Sequence, residues 1–164
     1  MKITGLELFH ISIPFCQPYK LSKVYGTLTD AHAVVLKVHT DAGIVGLGEA
    51  DPKNPFTEET PASVMAVINE HVAPYLLGRD PLQICEIESH LDQALRGNLM
   101  SRGAVNMALF DILGKVHQVP AHVFLGGIRH DRLPLLGPIG SGTPAEDADA
   151  IEALIQQGYR TVMI

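Results

Sequence analysis

The chain has 164 residues, of which 46% are hydrophobic and 18% are charged, and its formal net charge at pH 7 is −6. This composition can bury a sizeable core and is not that of a disordered chain. The sequence has no basic stripe or Lys/Arg cluster, which argues against a nucleic-acid partner. Cys16 and Cys85, without CxxC spacing, favour free thiols and a cytoplasmic location. No apolar run approaches the ~18 residues of a membrane span, so we expect no membrane partner.

The first 50 residues predict three strands. Residues 3–15 form an apolar, partly alternating run that Pro14 ends. Residues 16–30 are polar and rich in turn formers, which predicts a loop. The β-branched run 31–40, a tight turn at 41–43 and the apolar run 44–50 predict an antiparallel hairpin.

Three helices are predicted next. Thr60 and Pro61 have the residue types of an N-cap and a first helical position. Asp80 and Pro81 repeat that pattern for a second helix, and Ser101 begins a third that reaches about Val116. The expected apolar faces, in chain order, are Val64, Val67, Ile68, Val72 and Tyr75; then Ile84, Ile87, Leu91 and Leu95; then Ala104, Val105, Ala108, Leu109, Ile112 and Leu113.

The last part of the chain predicts a strand, a helix and a second strand. Residues 133–139 read as a strand, and the run from Thr143 to Glu146 is a capping box. An amphipathic helix follows and ends at Gly158, and residues 161–164 begin another strand. This order is one βαβ unit of a parallel sheet. One such unit cannot cover both faces of a parallel sheet, and the last residues are apolar. We therefore expect a truncated chain.

Two motifs and their order resemble a known family. The run Arg102 to Lys115, followed by Pro120 and Leu125-Gly126-Gly127, is similar to A-x-x-x-A-L-x-D-x-x-G-K…P…L-G-G. Gly48-Glu49-Ala50, followed by Phe56-Thr57-Glu58-Glu59-Thr60, is similar to G-E-A…F-(S/T)-x-E-T. Over essentially its whole length the chain resembles the mandelate racemase/muconate-lactonizing type of the enolase superfamily.

The resemblance implies a fold and a reaction. The expected fold is an α+β N-terminal capping domain, a three-stranded antiparallel meander then helices, at residues 1–125. Residues 126–164 would then be the first strand, helix and second strand of a truncated, modified TIM (β/α) barrel. Such enzymes use Mg²⁺ held by three carboxylates to stabilise the enediolate that forms when a base removes the α-proton of a carboxylate. The implied protein is a racemase, epimerase, cycloisomerase or dehydratase with a small-molecule carboxylate substrate, and we expect a homo-oligomer in the full-length protein.

The family's catalytic base lies in a G-(Y/F)-(R/K)-x-x-K-x-K motif, whose first part matches Gly158 to Ile164. Met163 occupies the first Lys position, so the usual pair of ammonium groups, which lower each other's pKa, is in question. The second Lys is expected just after Ile164, and the magnesium ligands are expected downstream as well. The resemblance therefore implies no catalytic residue and no metal ligand in this chain, and an inactive chain when it is alone.

The capping domain's share of the site is expected in two loops, 17–28 and 51–56, that close over the substrate. The candidate substrate-binding residues are Tyr19, Lys20, Tyr25, Pro55 and Phe56, with Ile139 and Ser141 near the end of the first barrel strand as weaker candidates. Lys20 can meet a substrate carboxylate. A solvated loop is the bland alternative for the lysine, and buried anchors are the alternative for the tyrosines.

Other patterns favour structural roles. The alternative function is a phosphate- or nucleotide-binding α/β protein that uses the Gly137–Gly142 turn, but the spacing is not G-x-G-x-x-G and the following helix is already capped. Asp111, with Lys115 one turn later, is predicted to be a structural aspartate. Glu49 and Asp51 could serve a metal or acid/base role, although loop ordering is the favoured interpretation. The eight histidines are scattered and predict no ligand set.

Overall fold

A computed structural model of the chain describes residues 1–22, 24–139 and 142–163, and the side chains of Lys20 and Ser22 lie outside the description. The chain divides into two compact units. The first consists of Met1–Ile13 and Ala31–Gly127, and the second consists of Pro14–Asp30 and Ile128–Ile164.

Three strands form the sheet of the N-terminal half, in the order β1-β2-β3. They are β1 (Ile3–Ser22), β2 (Gly26–Thr40) and β3 (Val45–Ala50). The β2–β3 hairpin is antiparallel, with Val34 opposite Ala50 and His39 opposite Val45. The predicted hairpin is therefore confirmed, with β3 beginning one residue later than expected.

The prediction of a loop over residues 16–30 is wrong. Strand β1 continues to Ser22, and β2 begins at Gly26, so that only a tight turn containing Val24 and Tyr25 separates them. The error arose because this stretch carries polar residues and Pro18, which usually mark loops. The described side chains of residues 16–30 are half-buried or exposed. Because this part of the two strands buries no apolar face, its sequence lacks the alternating apolar pattern that predicts a strand.

The helical part of the first unit begins where the sequence predicts. Thr60 caps α1 (Pro61–Val67), and its side chain and that of Ser63 form a reciprocal capping box. A π-helical segment, Ile68–Val72, and α2 (Ala73–Leu76) continue the same helical path. The fully buried residues follow a four-residue spacing, wider than the ~3.6 residues per turn of an α-helix, and the wider π turn helps to keep them on one side. They are Val64, Ile68, Val72 and Leu76.

Two further helices and a short turn complete this unit. Helix α3 spans Ile84–Ala94, α4 spans Leu99–His117, and a 3-10 segment spans Ala121–Leu125. The prediction that Asp80 caps α3 is wrong, because the N-cap is Gln83 and the Asp80 carboxylate accepts a hydrogen bond from the Leu82 amide at 3.1 Å. A local Asx turn has captured the carboxylate before the helix begins.

Strand β3 packs its backbone directly on α4. A Cβ atom on Gly48 would overlap the backbone carbonyl of Ala104, and one on Gly46 would overlap that of Ala108. Small residues on both elements therefore allow an approach that no larger side chain permits. The G-E-A motif and the alanines of α4 are two sides of one contact.

The core of the first unit lies between the inner face of the sheet and the helices. Its members are apolar residues of the strands, of the capped helical path and of α3 and α4, as the periodicity predicts. The fully buried members that anchor α4 are Ala104, Val105, Ala108, Leu109 and Ile112.

The second unit contains a strand–helix–strand arrangement. Strand β4 (Leu136–Pro138) pairs in parallel with β5 (Thr161–Met163), and α5 (Pro144–Gln156) connects them. The predicted parallel βαβ order is confirmed, although β4 is shorter than the predicted 133–139. Thr143 and Glu146 form the expected capping box. The predicted α+β arrangement, a three-stranded sheet followed by helices, is confirmed in the N-terminal half.

Candidate functional site

The loop between β3 and α1 is held in one shape by its own polar groups. The Lys53 ammonium lies 2.6 Å from the Asp51 carboxylate. The Lys53 amide donates to the Thr57 hydroxyl at 2.9 Å, and that hydroxyl donates to the Glu59 carbonyl at 2.9 Å. The amides of Phe56 and Thr57 donate to the Lys53 carbonyl at 2.6 and 3.0 Å. These bonds close residues 53–57 into a turn.

The turn presents its tip to solvent. Pro55 follows a cis peptide bond from Asn54, and both residues are exposed. The Phe56 side chain is 57% exposed, which is unusual for a large aromatic residue in a loop that has an ordered hydrogen-bond network. An apolar tip on a braced loop suits contact with a small molecule or with another surface.

The base of the loop is fixed to the core through Glu59, whose side chain is buried. Its carboxylate accepts hydrogen bonds from the amide of Met100 at 2.6 Å and from the amide of Ser101 at 3.1 Å. The Ser101 hydroxyl also donates to it. These groups belong to the first turn of α4, which has no side-chain cap of its own from Asn98. Glu59 therefore supplies both the cap and the negative charge that a helix N-terminus favours.

The predicted substrate-binding residues fall in both units. Pro55 and Phe56 belong to the first unit, whereas Tyr19, Tyr25 and Ile139 belong to the second. Tyr19 lies on β1 and is half-buried, and Tyr25 lies in the β1–β2 turn and is 40% exposed. Lys20 is also on β1, but its side chain lies outside the description. The expected loop 17–28 therefore consists of the end of β1, the turn after it and the start of β2.

Another predicted site residue, Ile139, directly follows the carboxyl end of β4. The Ile139 amide donates to the Met163 carbonyl at 3.1 Å, which extends the ladder one residue beyond β4. Ile139 is half-buried and Met163 is 51% exposed. Ser141, the remaining candidate, lies outside the described residues.

Asp111 has the structural role that the sequence predicts. Its carboxylate accepts from the Leu47 amide at 2.7 Å and from the Lys115 ammonium at 2.7 Å. The same ammonium donates to the Val45 carbonyl at 2.7 Å. Both residues therefore hold β3 to α4. Asp51 is likewise engaged by Lys53, in line with the favoured loop-ordering interpretation.

Residues 140 and 141 of the Gly137–Gly142 turn lie outside the described residues, and the described neighbours give little support to a phosphate site. The Glu146 carboxylate accepts from the Thr143 amide at 2.7 Å and from the Thr143 hydroxyl at 2.9 Å. A carboxylate therefore already occupies the position at the start of α5 where an anion would bind. Gly137 has a packing role, since a Cβ there would lie 2.9 Å from a methyl carbon of Leu154.

The described residues contain no candidate magnesium site. Within residues 1–22, 24–139 and 142–163, no three His, Cys, Asp or Glu side chains are arranged to hold a metal ion. A shallow cleft in the second unit is lined by residues 132–135 and 157–160, which precede β4 and β5. It therefore lies at the amino ends of these strands, opposite the ends at which barrel enzymes place their sites. The described residues accordingly do not fit a magnesium centre.

Two residues outside the predicted site support the loop between β3 and α1. Glu59, a member of the F-(S/T)-x-E-T motif, is buried, and its carboxylate fixes this loop to α4. Gly48, a member of the G-E-A motif, permits the β3–α4 contact because it has no side chain. A signal for both was present, because each is a fixed position in a motif next to the loop.

Comparison with known proteins gives the family. The family model for the mandelate racemase/muconate lactonizing enzyme N-terminal domain matches residues 4–126. The chain belongs to this family. Residues 4–126 correspond to the family's N-terminal, capping domain. The predicted resemblance is confirmed.

The relatives are enzymes of several reaction types. N-succinyl-L-Arg/Lys racemase from Bacillus cereus is 30% identical over 161 residues, which cover 98% of this chain and 43% of the racemase. Its crystal structure superimposes with a TM-score of 0.90 over 99% of this chain and 43% of the racemase chain. L-Ala-D/L-Glu epimerase from Bacillus subtilis is 31% identical over 164 residues, covering 100% of this chain and 44% of the epimerase. Other relatives are cycloisomerases and a dehydratase.

Solved structures of this type include bound ligands. A substrate-liganded complex of the Bacillus subtilis epimerase matches with a TM-score of 0.88, covering 99% of this chain and 44% of the epimerase chain. An enolase-superfamily member from Roseovarius nubinhibens, complexed with magnesium, is 31% identical and matches with a TM-score of 0.87, covering 98% of this chain and 43% of its own. The chain spans less than half the length of the relatives it matches.

One further observation concerns membranes. Among the described residues, none of the helices combines the length and the apolar character that a bilayer crossing requires.

Proposed function

We propose that the chain is the substrate-covering part of a magnesium-dependent enzyme that removes the α-proton of a carboxylate substrate. In this proposal residues 1–125 are the capping domain and residues 126–164 begin a TIM-type barrel. The observation that carries the proposal is the braced loop 51–59, which holds an exposed Phe56 at its tip and is fixed by Glu59 to the core of a family capping domain.

The relatives' names support the choice of reaction. A racemase of N-succinyl amino acids and an epimerase of a dipeptide both invert a carbon that carries a hydrogen. In an amino-acid residue that carbon lies next to a carbonyl or carboxylate group, where loss of the proton is assisted by delocalisation of the charge. Muconate and 3-hydroxyproline, which appear in the names of other relatives, are also carboxylic acids. Racemisation, epimerisation, cycloisomerisation and dehydration are therefore the candidate outcomes.

The proposed work of this chain is to cover and orient the substrate. Phe56 and Pro55 would contact its apolar part and exclude water, which strengthens electrostatic interactions in the site. Tyr19 and Tyr25, near the β1–β2 turn, are further proposed substrate contacts. We propose that Lys20 meets a carboxylate that does not react. Ile139 and Ser141 would border the substrate from the end of the first barrel strand.

Met163 gives the proposed enzyme an unusual feature. It occupies the position of the first lysine of the family's base motif, and its thioether carries no charge. A base on the same strand would therefore lack a neighbouring ammonium group. The pKa of that base would then not be lowered by a neighbouring cation, whichever of the four outcomes follows proton removal.

Magnesium is part of the proposal, but not of this chain. No group of three or more candidate ligands among the described residues fits a magnesium centre, so the magnesium ligands are proposed to lie outside the chain. We also propose a homo-oligomer in the full-length protein and a cytoplasmic location, the latter in keeping with free, exposed cysteines.

Exchange of the α-proton in deuterated water tests this function. The longer protein that contains this chain is incubated with N-succinyl amino acids, dipeptides and muconate, and deuterium at the α-carbon is followed by NMR. We expect exchange that requires Mg²⁺ and is lost with EDTA, while the 164-residue chain alone gives none. Exchange by the chain alone would contradict the placement of the chemistry, and no exchange of any carboxylate by the longer protein would contradict the function.

A further inference from the structure

The first two strands bring two histidines together on the exposed surface of the first unit. His10 lies on β1 and His32 on β2, and the Nε2 atom of His10 is 3.3 Å from the Nδ1 atom of His32. The ring centroids are 5.4 Å apart and the ring planes are tilted by 45°. We propose that this pair is a binding site for a divalent transition metal of the zinc class.

The separation of the two nitrogens matches a zinc chelate. Imidazole nitrogens bind zinc at about 2.0 Å, and two such ligands at the tetrahedral angle lie about 3.3 Å apart. Two cis ligands of a square-planar or octahedral ion at a similar bond length would lie about 2.9 Å apart. The spacing in the structure is therefore close to that of two corners of a tetrahedron, and the two rings must turn from their mutual hydrogen bond to direct both lone pairs at one ion.

The chemistry of the pair selects the class of metal. Imidazole is a ligand for zinc, copper and nickel, whereas magnesium prefers oxygen ligands and retains its water. Two protein ligands leave two tetrahedral positions for water or a small anion. His10 and His32 are both exposed, so an ion can reach them from solvent.

Binding exchanges a hydrogen bond for coordination. Two neutral imidazoles at this distance share one N–H, which one ring donates and the other accepts. When zinc binds, the donating ring moves that proton to its other nitrogen, so both facing nitrogens offer lone pairs and no proton is lost from the pair. Because the ligands lie on different strands, the ion also cross-links β1 to β2.

Zinc titration of the untagged 164-residue chain, followed by calorimetry and by NMR of the imidazole nitrogens, tests the proposal. We expect saturable binding of one zinc ion, with metal-type shifts at Nε2 of His10 and Nδ1 of His32. His10→Ala and His32→Ala should each weaken binding by about tenfold or more, since loss of a ligand costs at least as much as loss of its supporting partner. MgCl₂ should produce no such shifts.

His71→Ala is the matched control, because His71 is also an exposed histidine of the first unit, and it should leave zinc affinity unchanged. His10→Gln and His32→Gln retain a polar side chain and serve if either alanine variant folds poorly. Unchanged zinc affinity in folded variants of both His10 and His32, or an equal loss in His71→Ala, would overturn the proposal. Absence of saturable zinc binding to the native chain would also overturn it. None of these results depends on the proposed enzyme activity.

Discussion

Replacing Glu59 by alanine should strongly destabilise the first unit. Its side chain joins the loop between β3 and α1 to the first turn of α4. Glu59 is 6% exposed, and its carboxylate accepts from two backbone amides of α4, at 2.6 and 3.1 Å, and from the Ser101 hydroxyl. Ser101 is fully buried, so water cannot readily replace the lost acceptor.

The magnitude follows from the groups left without a partner. A buried donor that loses its acceptor costs about 1–3 kcal/mol, and the hydroxyl can turn towards another acceptor while the two amides cannot. We therefore expect Glu59→Ala to lower the free energy of unfolding by about 3 kcal/mol. Glu59→Gln keeps an acceptor oxygen but removes the charge, and should cost about half as much. Ser101→Ala removes one donor together with its need for a partner, and should cost about 1 kcal/mol.

Urea unfolding followed by far-UV circular dichroism, which the helices dominate, measures these differences. Glu58→Ala is the matched control, because Glu58 is the exposed neighbour, and it should change stability by no more than about 0.5 kcal/mol. Amide exchange of Met100 and Ser101 provides a local readout and should accelerate only in the Glu59 variants. If Glu59→Ala proves no more destabilising than Glu58→Ala, the claim that Glu59 fixes the loop to α4 is wrong.

Two more substitutions test the contact between β3 and α4. Gly48→Ala places a methyl group against the carbonyl of Ala104 and should cost about 3 kcal/mol or more. Gly5→Ala is the control and should be tolerated, because no atom lies within 4 Å of the added carbon. The melting temperatures of the two variants measure the difference. Asp111→Ala removes the acceptor of the Leu47 amide in an exposed hydrogen bond and should cost about 1 kcal/mol in urea unfolding, while Asp111→Asn, which retains an acceptor, should cost less. Equal effects of the two Asp111 substitutions would show that its hydrogen bond to β3 is unimportant.

The sequence predicted the features that depend on periodicity and on local capping. Apolar residues recur at every fourth position along the buried face of α4. Both predicted ends of this helix lie within two residues of the observed ends. Thr60 and Thr143 were recognised as caps because capping requires only a short stretch of sequence. Asp111 was predicted to be structural because a partner lay one helical turn away.

The features that depend on distant residues could not be predicted in this way. Glu59 meets Met100 and Ser101 across about 40 residues of sequence, and no local pattern contains both sides of that contact. The strand pairing within residues 16–30 gives no sequence signal, because these residues are polar and follow no alternating apolar pattern. The pairing of His10 with His32 depends on strand register between β1 and β2, and register was not determined by the local sequence.

The central claim is that this chain covers the substrate while the base lies elsewhere, and steady-state kinetics of loop variants in the longer protein test it most directly. Phe56→Ala should raise KM and alter the preference among substrate side chains, with a smaller change in kcat, because the exposed ring would bind ground state and transition state alike. Leu77→Ala, at another exposed apolar residue, is the control and should change neither. A loss of kcat alone in Phe56→Ala, with KM and substrate preference unchanged, would contradict the account.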